Sequence, residues 1–161
     1  MDDLFYMNRA LELAKEAAAQ GEVPVGCVIV RQGQIVAEGR NCRETDKTAL
    51  GHAEIQAIDA ACKALGGWRL WDCTLYVTLE PCPMCAGAMI NARIPRVVYG
   101  AGDDKCGACG SVCNLFEMNF NHKPQVAAGV LEAESKALLE EFFQQLRVTL
   151  RSRPKWQKPL V

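Results

Sequence analysis

Two short segments hold the residues whose types and spacing could do chemistry. One is Gly51-His52-Ala53-Glu54 and the other is Glu80-Pro81-Cys82-Pro83-Met84-Cys85. Together they read H-x-E, then P-C-x-x-C after 26 intervening residues. One imidazole and two thiolates are a good donor set for a borderline-soft ion such as Zn²⁺. Three protein ligands, His52, Cys82 and Cys85, leave a fourth tetrahedral position for water, as catalytic zinc sites do and closed structural sites do not. Cys82 and Cys85 are three apart, so the first turn of a helix aims both sulfurs at one point. The partial positive charge of a helix N-terminus also favours thiolate over thiol. Glu54 sits too near His52 in sequence to ligate the same ion from a helix. It is placed instead to take a proton from water acidified by the metal, a role worth roughly 10²–10⁴-fold in rate. A redox pair or structural zinc would account for C-x-x-C alone. The two motifs together point to a catalytic zinc, one per chain.

These side chains need a fold to hold them, and hydrophobic periodicity outlines it. The first twenty residues read as a helix with Leu4, Met7, Leu11, Ala14 and Ala18 on one face and Gly21 as terminator. Residues 23–30 and 35–37 are β-branched runs around a Gln32-Gly33-Gln34 turn, which suits a hairpin. A polar loop over 41–51 precedes a helix over 53–65 that stops at Gly66-Gly67. A strand over 74–78, a helix over 83–92 with proline in its first turn and a strand over 96–99 follow. Residues 103–110 read as a Gly- and Cys-rich loop and 125–130 as a last strand. A final amphipathic helix over 135–150 presents Leu138, Leu139, Phe142, Leu146 and Leu150 on one face. This order predicts an α/β fold, a mixed sheet with helices on both faces.

The 161 residues suit a single domain. With half the residues apolar and 23% charged, dominant disorder is excluded. No apolar run approaches the roughly 20 residues of a membrane span. Met1-Asp2-Asp3 does not read as a secretory signal, so the expected location is cytoplasmic. Nine cysteines, clustered at Cys82 with Cys85 and at Cys106, Cys109 and Cys113, then point to metal or redox chemistry rather than disulfides. The second cluster lacks an evident fourth ligand and is expected to pack as small residues. Cys27, Cys42, Cys62 and Cys73 are expected to be buried as small hydrophobes. The net charge of −1 hides an asymmetry: Arg147, Arg151, Arg153, Lys155 and Lys158 close the chain with no acid among them, leaving a balance of −6 on the rest.

The motifs carry a resemblance. It runs through Gly21-Glu22-Val23-Pro24-Val25-Gly26, His52-Ala53-Glu54-Ile55 and Trp68-Arg69-Leu70. It is densest over residues 74–89 and continues through 93–101, Phe120-Asn121-His122 and Phe142-Phe143. The chain is similar to the bacterial tRNA-specific adenosine deaminases of the cytidine/deoxycytidylate deaminase superfamily. The resemblance implies a cytidine-deaminase-like three-layer α/β/α sandwich, usually a homodimer. It implies hydrolytic deamination of the wobble adenosine of a tRNA anticodon to inosine, through a zinc-activated water. His52, Cys82 and Cys85 would hold zinc and Glu54 would shuttle protons. Asn41 and the Ala53 amide would contact the purine, with Val25 as an apolar wall. Asp103, Lys105, Asn121, His122, Phe143 and Arg147 would touch the anticodon stem-loop. The deaminase domain would span 1–151 and a basic tail 152–161. One departure stands out: Thr48-Ala49-Leu50-Gly51-His52 replaces the more usual Pro-Thr-Ala-His. Two other readings stay open. One is a deaminase of a free base such as guanine or cytosine, against which the basic tail and Phe120-Asn121-His122 argue. The other is a zinc-stabilised RNA-binding module without catalysis, against which Glu54 argues.

Overall fold

The computed structural model describes residues 2–154; Lys155 and Lys158 of the basic tail lie outside the described residues. Helix α1 (Asp3–Ala19) begins at Asp2, whose carboxylate accepts from Phe5 N–H. It ends where Gly21 turns left-handed (φ +79°), with Gly21 N–H on Ala18 O and Glu22 N–H on Ala17 O, a Schellman closure. Its buried stripe starts at Tyr6 and runs through Met7, Ala10, Leu13 and Ala17, so Leu4, expected on that face, is exposed.

Strands β1 (Gly26–Arg31) and β2 (Gln34–Arg40) form a hairpin over Gln32 and Gly33. Both turn residues have positive φ, as a two-residue type I′ turn requires. The chain continues as α2 (Ala53–Leu65), β3 (Cys73–Leu79), α3 (Pro83–Asn91), β4 (Arg96–Ala101), β5 (Gln125–Ala127) and α4 (Glu132–Ser152). The sheet order is β2-β1-β3-β4-β5. β1 is antiparallel to both neighbours, and β3, β4 and β5 run parallel. Alternation along the strands sorts two cores. Cys27, Ile29, Leu75, Val77 and Val97 pack with the α2 and α3 side, while Val28, Val30, Tyr76 and Val98 pack with α1. The result is the three-layer α/β/α sandwich with a mixed sheet.

Three expectations need correction. β5 is only three residues long, although Val130 N–H still reaches Tyr99 O at 3.3 Å. In α4 only Ser135 is buried. Leu138, Leu139, Phe142 and Leu150 are half-buried, and Leu146 is exposed, because the described residues offer the far half of this helix no covering surface. Neither Phe142 nor Phe143 reaches the core; their rings meet edge to face at 5.5 Å. Cys27 and Cys73 are buried, whereas Cys42 and Cys62 are only half-buried, one on the 41–51 loop and the other near the end of α2 with its thiol toward Trp68 O.

The sheet register decides where function can sit. Gly26 pairs with Arg40, Cys27 with Val77, and Leu79 with Ala101. The C-terminal ends of β2, β3 and β4 and the start of β1 therefore share one edge. Segments 21–25, 41–52, 80–82 and 102–114 all emerge there, and α2 and α3 both begin there. Close packing fixes α2 on the sheet: a Cβ at Gly39 would overlap Ala53 O in the first turn of α2. Gly39→Ala is expected to push that turn off the sheet and to lower stability by roughly 1–3 kcal/mol, read as an earlier urea midpoint. Gly87→Ala in α3, where a Cβ meets nothing within 4 Å, is the control and leaves the midpoint unchanged or raises it.

Candidate active site

His52 and Cys82 are the N-caps of α2 and α3, both with extended backbone. Neither side chain caps its own helix. They turn toward each other instead. His52 Nδ1 lies 3.6 Å from Cys82 Sγ and 3.4 Å from Cys85 Sγ. The three ligand atoms lie within 4.8 Å of one another, the one such group of three among the described residues. Nitrogen and sulfur at about 2.05 and 2.3 Å from a tetrahedral ion stand about 3.6 Å apart, so the trio fits one ion as it is. Pro83, in the first turn of α3, gives up an N–H that has no partner in a helix anyway. Hydrogen bonds from Cys85 and then His52 hold the Cys82 thiol down to about 4, as thiolate. The same bond, with burial, pushes Cys85 far up.

Glu54 is buried in the first turn of α2. Burial pushes its carboxyl up to about 7. A group poised there takes up and releases a proton near neutrality. It faces a cavity of about 200 Å³ lined by Val23, Val25, Asn41, Arg43, His52, Ala53, Glu54, Leu79, Glu80, Cys82, Asp103 and Cys106. Seven of the residues singled out in the sequence therefore meet here: Val25, Asn41, His52, Ala53, Glu54, Cys82 and Asp103. Cys85 is buried behind them against His52. Asn41 is held by its own loop, donating through Nδ2 to Val23 O at 3.2 Å and accepting at Oδ1 from Arg43 N–H at 3.2 Å. One N–H and one lone pair of the amide remain uncommitted.

The other five residues do not line the cavity. Lys105 is exposed, two residues from Asp103, and gives its N–H to Asp103 Oδ1. Asn121 is exposed. His122 is tied by Nε2 to Ile94 O at 2.7 Å; a carbonyl only accepts, so the ring carries a proton on Nε2. Phe143 and Arg147 stand on the exposed stretch of α4.

Sequence reasoning missed the groups that fix the cavity walls. Glu80 is 2% exposed, and its carboxylate accepts from the N–H groups of Asp103, Cys109 and Ser111 at 3.0–3.2 Å and from Ser111 Oγ. A Cβ at Gly107 would overlap that carboxylate. Glu22 is 1% exposed and accepts from Glu44 N–H at 3.0 Å and Thr45 N–H at 2.7 Å. One buried acid thus holds the 102–114 loop with Asp103, and the other holds the 41–51 loop with Asn41. The available signal was an acid set in an apolar run, at Glu22 before Val23-Pro24-Val25 and at Glu80 after the β3 strand; such an acid must find donors.

Burial alone would raise the Glu22 carboxyl, but the hydrogen bonds from Thr45 and Glu44 and the nearby Arg43 charge carry it below its usual 4.5. A carboxylate with a lowered folded pKa adds stability above its ordinary pKa and loses it as pH falls through the folded value. The stability gap between wild type and Glu22→Gln is therefore expected to narrow as pH drops below 4.5, measured by urea denaturation at successive pH values.

Comparison with known proteins agrees with this geometry. Residues 1–147 match the family model of the MafB19-like deaminases. The chain is 52% identical over 146 residues to the tRNA-specific adenosine deaminase of Bacillus subtilis (strain 168), covering 90% of this chain and 91% of that one. It is 42% identical over 147 residues to the enzyme of the same name from Streptococcus pyogenes serotype M18 (strain MGAS8232), covering 91% and 92%. A solved structure from a study of A-to-I editing by tRNA:A34 deaminases at the wobble position of transfer RNA matches with a TM-score of 0.80 and 43% identity, covering 84% of this chain and 99% of that one. A guanine deaminase from Bacillus subtilis matches with a TM-score of 0.63 and 34% identity, covering 96% and 99%. With a cavity that joins a His-Cys-Cys trio to a buried glutamate, and with such likeness over nearly its whole length, the chain belongs to the tRNA-specific adenosine deaminase family.

Proposed function

We propose that the protein deaminates the wobble adenosine of a tRNA anticodon to inosine, with one zinc ion per chain held by His52, Cys82 and Cys85. The observation that carries this reading is the buried Glu54 carboxyl on the same cavity as His52 and Cys82, with which the Cys85 thiol behind them converges. A structural metal has no use for such a group. Bound by those side chains, zinc would supply the Lewis acidity that makes water a nucleophile near neutral pH.

The chain's own residues do the rest. Glu54 accepts a proton from the attacking water and passes it to a ring nitrogen of adenine. As the tetrahedral carbon collapses, Glu54 takes the proton of the newly attached hydroxyl and gives it to the departing amine. The C–N bond breaks as the carbonyl forms, so adenosine and water become inosine and ammonia. The free N–H and lone pair of Asn41 bond the purine edge. Ala53 N–H, at the start of α2 where no intrahelical acceptor exists, is a further donor, and Val25 is the apolar surface beneath the ring. An adenosine within an anticodon loop must be turned out to reach this cavity. Exposed Lys105 and Arg147 suit phosphates, the Phe143 ring suits a stacked base, and Asp103, Asn121 and His122 offer polar contacts.

The same reading includes a homodimer and action in the cytoplasm. No helix among the described residues is long and apolar enough to cross a membrane. It also takes residues 1–151 as the deaminase domain and 152–161 as a basic tail; α4 reaches Ser152, so this boundary falls in its last turn. A free-base deaminase is the second reading, favoured by the likeness to a guanine deaminase.

The test is incubation of zinc-loaded protein with an anticodon stem-loop bearing a wobble adenosine, with product nucleosides read by mass spectrometry. Wild type is expected to form inosine. Glu54→Ala is expected to keep one zinc per chain and to lose at least about 10²-fold in rate. His52→Ala is expected to lose both metal and turnover. Ammonia from free guanine or cytosine, with none from the stem-loop, would replace this reading with the second.

A further inference from the structure

The departure at Thr48-Ala49-Leu50-Gly51 has a structural counterpart. A Cβ at Gly51 would stand 2.9 Å from both N and Cα of Arg43, so the two sides of the 41–51 loop lie backbone against backbone. Cys42 N–H donates to Gly51 O at 2.9 Å and Thr48 N–H to Arg43 O at 3.1 Å. Arg43 N–H is bonded to Asn41 Oδ1, and the next two N–H groups go to Glu22. Arg43 therefore projects from an immobilised backbone and lines the cavity two residues from Asn41.

Its side chain is uncommitted. Arg9, Arg31, Arg40 and Arg96 each pair with a carboxylate. Among the described residues, the Arg43 guanidinium makes no hydrogen bond and has no carboxylate within 4 Å. Glu22, whose carboxyl feels its charge, is already engaged by Glu44 and Thr45. Asp103 stands elsewhere on the cavity lining, with Oδ1 accepting from Lys105 and Cys106 N–H. A planar cation held on a rigid loop without an internal partner is suited to an anion from outside.

The cavity says which anion. At about 200 Å³, with Val23, Val25 and Leu79 in its walls, it suits a flat base and not a charged group. A nucleotide with its base inserted leaves its sugar and phosphates at the rim. We propose that Arg43 binds a backbone phosphodiester beside the deaminated nucleotide, and so favours a polynucleotide over a free base, which has no phosphate to offer. This rests on the proposed deamination of an RNA nucleotide.

The test is equilibrium binding of the wobble-adenosine stem-loop to wild type, Arg43→Gln and Arg43→Lys over a salt series, with steady-state kinetics alongside. Arg43 is exposed, so both variants should fold, and their zinc content checks this. Arg43→Gln is expected to weaken binding about tenfold at low salt and to place its effect on KM rather than kcat. It should also flatten the slope of log affinity against log salt by about 0.7–0.9, the share of one phosphate contact. Arg43→Lys is expected to restore the slope but not the full affinity, because the fork is lost. A purely structural Arg43 would leave the slope untouched. Stem-loop binding by wild type with an unchanged slope in Arg43→Gln overturns this inference alone. Failure of wild type to bind the stem-loop overturns the assigned substrate, and this inference with it.

Discussion

Helix α2 lies on β2 backbone to backbone at Gly39, and the site depends on that contact. Side chains ordinarily keep a helix away from a sheet. Here the missing Cβ lets Ala53 O approach the strand, which lowers the start of α2 into the sheet edge. His52, as its N-cap, then meets Cys82, the N-cap of α3, and Glu54 in the next position but one is buried. Two helix N-termini converging on one point bring two partial positive charges together. The Cys82 thiolate offsets them, and a thiolate is what a metal needs. Packing, electrostatics and donor set are thus solved by one approach of backbone to backbone.

The cavity walls follow a different logic. Both come from loops, which are ordinarily the mobile parts of a fold. Each is tied to a carboxylate buried at the sheet edge, Glu22 on one side and Glu80 on the other. Burying a charged group is costly unless donors surround it. The donors here are the loop amides themselves, so the ordering of the loop and the solvation of the acid are one interaction. The walls are set before any ligand arrives, which reduces the ordering entropy that binding must overcome.

Much of this was legible in the sequence, and the limits have physical causes. The helices over 53–65 and 83–91 were marked by their caps and periodicity, and the layers by alternation along β1 and β3. The convergence of His52, Cys82 and Cys85 followed from residue chemistry at helix starts. Glu22 and Glu80 escaped because their partners are backbone N–H groups more than twenty positions away, which any residue could supply. Arg43 escaped because a loop arginine is ordinarily just solvated, and its orientation depends on Gly51 across the loop. Leu146 in α4 was misjudged for another reason: periodicity shows that a helix has an apolar face, but not that anything covers it.

That last helix has a thermodynamic meaning. α4 is 21 residues long with a single buried side chain. In proteins most helical stability comes from packing of an apolar face rather than from propensity, and a surface pair such as Lys136 with Glu132 adds only a few tenths of a kcal/mol. Its far half therefore sits at the low end of the local unfolding scale, while the sheet edge under His52, Cys82 and Cys85 sits near the top. The molecule is graded, stiff around Glu54 and compliant where Phe143 and Arg147 stand. A compliant arm gives up some affinity in becoming ordered against a partner, and in return conforms to surfaces that differ in shape.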